Sequence, residues 1–110
     1  MKNTVSLKEN RDFKRLYARG KSTADFCLAV YAIKKKPGLN RLGITVSVKV
    51  GCAVVRNRVR RRIKEAYRLN EHRFLNGMDI VIVARIKAAE VNYFQIEKSV
   101  VNLIKKIEKQ

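Results

Sequence analysis

The chain has no tryptophan, a single proline, a single histidine and only nine acidic residues among 110. Each scarcity excludes something. The lone histidine, His72, reads as an exposed surface residue rather than a general base. The acids are scattered, with no paired set of the kind a two-metal nuclease uses, so no catalytic or metal-binding residue is assigned. Asp25 and Asp79 are expected at strand ends. The two cysteines, Cys27 and Cys52, lack metal-ligand spacing and suggest no disulfide scaffold. No apolar run approaches the roughly 20 residues that span a bilayer, and no charged-then-apolar leader opens the sequence. A cytoplasmic location without a membrane partner is the expectation.

What is abundant is positive charge. Twenty-six Lys and Arg leave a net charge of +17. Self-repulsion at that level disfavours a compact chain, so a polyanionic partner is the economical explanation. Nucleic acid fits better than anionic membrane, because the arginines cluster and no helix pairs a basic face with a broad exposed apolar one. Apolar content is that of a packed protein, and the length suits one domain over residues 1–110.

Ser6 with Glu9 three residues on can form a capping box opening a first helix. That helix carries Phe13, Leu16 and Tyr17 on one face and Arg11, Lys14, Arg15 and Arg19 on the other, and ends near Gly20. Asp25 to Ile33 alternates as a strand, with Phe26, Leu28, Val30 and Ala32 on one side and Cys27, Ala29, Tyr31 and Ile33 on the other. Lys34 to Gly38 reads as a hairpin connection. In the next strand, Arg41 to Lys49, the residues Leu42, Ile44, Val46 and Val48 form a core face opposite the small, hydrophilic Gly43, Thr45, Ser47 and Lys49. A long helix is expected over Ala53 to Phe74, broken by Asn76-Gly77. Met78 to Ile86 then reads as a buried central strand. Asn92, with Gln95 three residues later, caps a last helix in which Phe94, Val100, Val101, Leu103, Ile104 and Ile107 pack on the sheet. The order is αββαβα, with an optional short strand near Lys21 to Thr23: an α+β fold with a small mixed sheet.

The informative segment runs from Gly51 to Glu65, Gly-Cys-Ala-Val-Val-Arg-Asn-Arg-Val-Arg-Arg-Arg-Ile-Lys-Glu. At about 100° per residue, Val55, Val59, Ile63, Ala66 and Tyr67 share one side and Asn57, Arg60, Arg61, Lys64 and Arg68 the other. Arg56 flanks the apolar stripe, and Arg58 and Arg62 lie toward its opposite edge. Solvated helices normally mix charges to gain i,i+4 pairs, yet Glu65 is the single acid between Arg56 and Arg68. A rigid basic ridge of this kind suits phosphate, because the guanidinium fork binds its oxygens bidentately and stacks on bases.

Gly-x-Ala-Val-x-Arg-Asn-Arg-x-(Lys/Arg)-Arg-x-(Ile/Leu), as Gly51 to Ile63, resembles the signature of the bacterial ribonuclease P protein subunit. Leu7 to Phe13, Arg41 to Lys49 and Asp79 to Arg85 are similar to further segments of that family, so the resemblance covers nearly the whole chain. It departs at Cys52, where the family commonly has Asn. The helix therefore begins less firmly, by around 1 kcal/mol. Arg60 and Lys64 also exchange the basic types often found there.

The resemblance implies a ribosomal protein S5 domain 2-like sandwich with a left-handed βαβ crossover, against the usual rule. It implies a non-catalytic subunit of an endoribonuclease that removes 5′ leaders from precursor tRNA. A large RNA partner carries the chemistry and holds the Mg²⁺ ions. By the same resemblance, Arg56, Asn57, Arg58, Arg60, Arg61, Lys64 and Arg68 bind the catalytic RNA. A cleft between the first helix and the sheet takes the leader, with Phe13, Tyr17 and Tyr31 as its aromatics and Lys14, Arg19, Lys49 and Arg11 beside its phosphates. A small ribosomal or ribosome-assembly protein is the alternative that shares this charge and composition.

Overall fold

The most apolar stretch of chain becomes the middle of the sheet. In the computed structural model, which describes residues 2–35 and 38–110, Met78–Ala84 forms a strand flanked on both sides. In chain order the elements are β1 (Thr4–Ser6), α1 (Asn10–Arg19), β2 (Lys21–Ala24), β3 (Leu28–Lys34), β4 (Asn40–Val46), α2 (Ala53–Asn70), β5 (Met78–Ala84) and α3 (Tyr93–Glu108). Short 3₁₀ turns occupy Val48–Val50, Glu71–Arg73 and Ile86–Glu90. The sheet order is β1-β4-β5-β3-β2. The β1–β4 and β4–β5 pairs are parallel, and β5–β3 and β3–β2 are antiparallel. The α+β class and the mixed sheet are as expected, and the optional strand at Lys21 is present.

Because β5 is central, both its faces are buried. Ile80 and Ile82, beside Leu28, Val30, Ala32 and Leu42, meet Val59, Ile63 and Tyr67 of α2 and Ile96, Val100, Leu103 and Ile104 of α3. On the opposite face Val81 meets Leu16 of α1 and Leu7, with Phe13, Tyr31, Ile33 and Val83 around them. One ten-residue helix cannot cover five strands. Part of that face is left for something else.

Several expectations fail, each for a local reason. Ser6 ends β1, pairing with Leu42, so it cannot cap α1; the N-cap is Glu9 and its side chain makes no capping bond. Lys34 to Gly38 is not a hairpin connection, because β5 inserts between β3 and β4; residues 36 and 37 lie outside the described residues. The strand alternation does not extend back through Phe26 and Cys27. The Asp25 carboxylate accepts from the amides of Cys27 (3.0 Å) and Leu28 (2.9 Å), which makes a turn there, buries Cys27 and exposes Phe26. β4 stops at Val46, so Val48 is exposed rather than in the core, and β5 stops at Ala84, leaving Ile86 exposed. The long helix ends at Asn70 and continues only as a 3₁₀ turn. Phe94, expected on the sheet, is 74% exposed. The Asn92 cap is observed, its side-chain oxygen accepting from the Gln95 amide at 2.9 Å.

Candidate nucleic-acid interface

The ridge follows from how α2 is buried. Val59, Ile63, Ala66 and Tyr67 face the core, which turns Asn57, Arg60, Arg61, Lys64 and Arg68 to solvent and leaves Arg56, Arg58 and Arg62 half-buried at the edges. The cations are not equivalent. Arg68 donates twice to Glu65, at 2.7 and 2.8 Å, and that hydrogen bonding holds the Glu65 carboxyl below its ordinary range. Arg62 donates to the Val91 carbonyl at 3.1 Å and ties α2 to the start of α3. Arg60 donates to the Asn57 side-chain oxygen at 3.1 Å. Arg61 and Lys64 make no ion pair among the described residues. The buried Nε–H groups of Arg56 and Arg58 find no acceptor among the described residues, an uncommon state for a buried donor. Cys52 at the N-cap supplies no side-chain bond, as the departure from Asn implied.

The half-covered sheet face carries the aromatics. Registers Tyr31↔Val81↔Gly43 and Ala29↔Val83↔Thr45 lay out its surface. Tyr17 stands edge-on to Tyr31, centroids 5.0 Å apart, and its hydroxyl lies 3.2 Å from Thr45 Oγ1. Phe13 lies over Gly43: a Cβ built there falls 2.6 Å from the ring's Cζ. Glycine at this position is therefore the seat of Phe13, a role its alternation in β4 could not reveal. In a Gly43→Ala variant the ring must swing outward. Stability should fall by about 1 kcal/mol, within the usual range for overpacking, while the Phe13 ring resonances shift in NMR spectra. A loss beyond about 3 kcal/mol in urea denaturation would instead mark Phe13 as core.

Phe13, Tyr17 and Tyr31 are thus brought together, whereas the predicted flanking cations are not all beside them. Lys14 follows Phe13 on the solvent side of α1, about 60° from Tyr17. Arg19 is on the far edge of the helix, around a small hollow with Lys21, Ile33 and Lys34. Arg11 pairs with Glu9 at 2.6 Å. Lys49 sits beyond the end of β4, beside Phe26, Arg85 and Lys87. The arrangement absent from the sequence reading is a groove of about 760 Å³ between α1, β1 and α2. Leu7, Phe13 and Gly43 line it together with Arg60, Lys64 and Arg68. Aromatic surface and basic ridge share one opening.

A family model described as Ribonuclease P matches residues 1–108. The chain belongs to the ribonuclease P protein family. The ribonuclease P protein component of Clostridioides difficile strain 630 is 47% identical over 104 residues, covering 94% of this chain and 91% of the relative. That of Alkaliphilus metalliredigens is 43% identical over 107 residues, covering 97% and 96%. Among solved structures, the Staphylococcus aureus RNase P protein superposes with a TM-score of 0.82 at 37% identity, covering 94% of both chains. The Thermotoga maritima protein gives 0.84 at 32%, covering 93% and 96%. The function is that of a ribonuclease P protein component, a subunit in tRNA 5′-leader processing, and the ribosomal alternative is set aside.

The ribonuclease P fold also explains the acids. Asp79, 1% exposed at its side chain, accepts from Arg41 Nε (2.9 Å) and Nη2 (2.7 Å) and from Arg15 Nη2 (2.8 Å), with Lys35 Nζ at 3.3 Å. Asp12 joins the cluster through Arg41 (3.3 Å) and Arg15 (3.4 Å). Burial pushes the Asp79 carboxyl up, but hydrogen bonds from Arg41 and Lys35, and their charges, outweigh it and leave the carboxyl below its ordinary value. These ties join α1 to β4 and β5 along the side of the helix away from Tyr17. The sequence held one signal for them, a lone carboxylate inside the most apolar strand. His72 is exposed in the Glu71–Arg73 turn. Among the described residues no three His, Cys, Asp or Glu side chains group to hold a metal ion, and no helix is long and apolar enough to cross a membrane.

Proposed function

We propose that this subunit works by binding, with the phosphodiester chemistry and its Mg²⁺ ions residing in the RNA partner. The α2 ridge, Arg56 to Arg68, grips the catalytic RNA. The α1–sheet cleft receives the single-stranded 5′ leader, whose bases stack on Phe13, Tyr17 and Tyr31. Stacking tolerates sequence because every base has a π-face, which suits an enzyme handling many precursors.

What carries this reading is the shared groove, which Phe13 lines together with Arg60, Lys64 and Arg68. A strand lying there finds an aromatic ring for its bases and cations for its phosphates. It also brings the leader to the flank of the ridge, so that one protein touches substrate and catalyst at once. The carboxylates support the same division of labour. Asp79 and Asp12 are taken up by guanidinium groups, and Asp25 by backbone amides, so their oxygens are committed to structure.

Purified protein with Mg²⁺ should leave precursor tRNA intact, and adding the cognate RNA should restore cleavage at the mature 5′ end. Cleavage by nuclease-clean protein without RNA would sink the non-catalytic assignment.

A further inference from the structure

The most exposed aromatic residue of the described chain is in neither the cleft nor the core. Phe94 occupies the first turn of α3 with 74% of its surface open. Its position is set by the seam between α2 and α3. Arg62 of α2 donates to the Val91 carbonyl just before α3, at 3.1 Å. Glu97 accepts from Asn70 of α2 at 3.0 Å and from the Tyr93 hydroxyl at 3.2 Å. Tyr93 therefore lies half-buried beside the α2–α3 seam, where burial and the Glu97 carboxylate push its hydroxyl pKa up. Phe94 extends from it, ring centroids 5.6 Å apart at 72°. The turn that carries it is pinned to α2 through Arg62 and Asn70. Lys98, one turn along α3, is exposed on the same side.

A phenylalanine that touches Tyr93 edge-on yet leaves 74% of its surface open, one turn from the exposed Lys98 and on a helix tied to the basic α2, calls for an occupant that satisfies both ring and charge. RNA does so, since it presents phosphates to cations and flat bases to an aromatic ring. A protein partner with an apolar pocket would satisfy the ring and leave the positive charge of Lys98 and α2 unmatched. We propose that Phe94 is a stacking platform for an unpaired base of the catalytic RNA, extending the RNA interface from α2 onto the first turn of α3. The inference rests on the RNA-binding reading of the ridge and adds a residue and a mode of contact to it.

Since the chain has no tryptophan, Phe94→Trp provides a single fluorophore at the site. Titration with the cognate catalytic RNA should quench its emission and shield it from iodide, whereas a single-stranded leader oligonucleotide should leave it unchanged. Phe94→Ala and Phe94→Leu should each bind the RNA roughly 5- to 150-fold more weakly, the range for removal of one base stack. Their salt slopes and melting temperatures should match the unsubstituted protein, because no charge or buried side chain is removed. Full affinity in Phe94→Leu would mean apolar bulk without stacking and would overturn the proposal. Quenching by the leader oligonucleotide, or on raising protein concentration without RNA, would assign the ring to substrate or to a second copy and overturn it too. If wild-type protein binds the RNA and restores cleavage while the tryptophan emission stays unquenched, this inference fails and the RNA-binding reading stands. If wild-type protein does not bind, the reading beneath it fails.

Discussion

Replacing Arg60, Arg61 and Lys64 together with Ala should flatten the salt dependence of catalytic-RNA binding by roughly 2 to 3 units of slope. Each neutralised phosphate contributes about −0.7 in single strands and −0.9 in duplex to log affinity against log salt. All three side chains are exposed on the face opposite the buried Val59 and Ile63. Their removal leaves the core packing intact and relieves repulsion worth a few tenths of a kcal/mol per pair one turn apart. The melting temperature should therefore hold or rise. Arg68 is left out because Glu65 already takes two of its donors. Asn57→Ala should lower affinity with almost no change in slope, since the amide it removes carries no charge. An unchanged slope with a large fall in melting temperature would show that the ridge serves the fold and would end its role as a phosphate clamp.

The groove sharpens this expectation. Arg60 and Lys64 line it with Phe13, and Arg61 is not among its lining residues. The Arg60/Lys64 pair of substitutions should thus also reduce the preference for precursor over leaderless tRNA, whereas Arg61→Ala should weaken both alike. Comparing the two substrates across the single and double variants separates cations that serve the leader from those that serve the catalytic RNA.

The helices were legible because each packs through one stripe whose apolar residues recur at helical spacing, and the ridge was legible as its complement. Val59, Ile63 and Tyr67 predict the exposure of Arg60, Arg61 and Lys64 directly. Pairing between strands was another matter. A local pattern can mark β3 and β4 as strands, but nothing in their residues announces that β5, more than thirty residues downstream of β4, will lie between them. The three-residue β1 is too short to show alternation and is fixed by its parallel pairing with β4. The exposure of Phe26 and Phe94 was not legible, because side-chain chemistry carries no record of a turn at Asp25 or of the angle at which α3 meets α2. The shared groove was hidden for the same reason. Phe13 and Arg60 are far apart in sequence, and only the packing of α1 and α2 on opposite faces of the sheet, beside its β1–β4 edge, brings them to one groove.

Asp79→Asn should be the most damaging conservative change in the protein. The substitution keeps size and shape but leaves the Arg41, Arg15 and Lys35 cations around a neutral amide that offers one acceptor where there were two. Removing one partner of a buried ion pair costs about 3–5 kcal/mol. The cations here have 29–43% exposed side chains and can recover water, so a loss near the lower end, about 3 kcal/mol, is expected at pH 7.

The sign of the pH dependence follows from the carboxyl's depressed pKa. A group held below its unfolded value contributes its full stability above the unfolded pKa, about 3.9 for Asp, and loses it as pH falls through the folded value. Urea denaturation of wild type and variant should therefore differ by a constant amount from pH 5 to 8 and converge below about pH 4. The other carboxylates titrate in both proteins and largely cancel in the difference. Because Arg15 is the tie that holds α1 down beside β5, the variant should also loosen Phe13 and Tyr17 over the cleft. Discrimination between precursor and leaderless tRNA should then fall even where the variant remains folded. A stability gap that persists unchanged to pH 2 would mean that Asp79 acts through packing rather than charge, and the ionic tie would have to be given up.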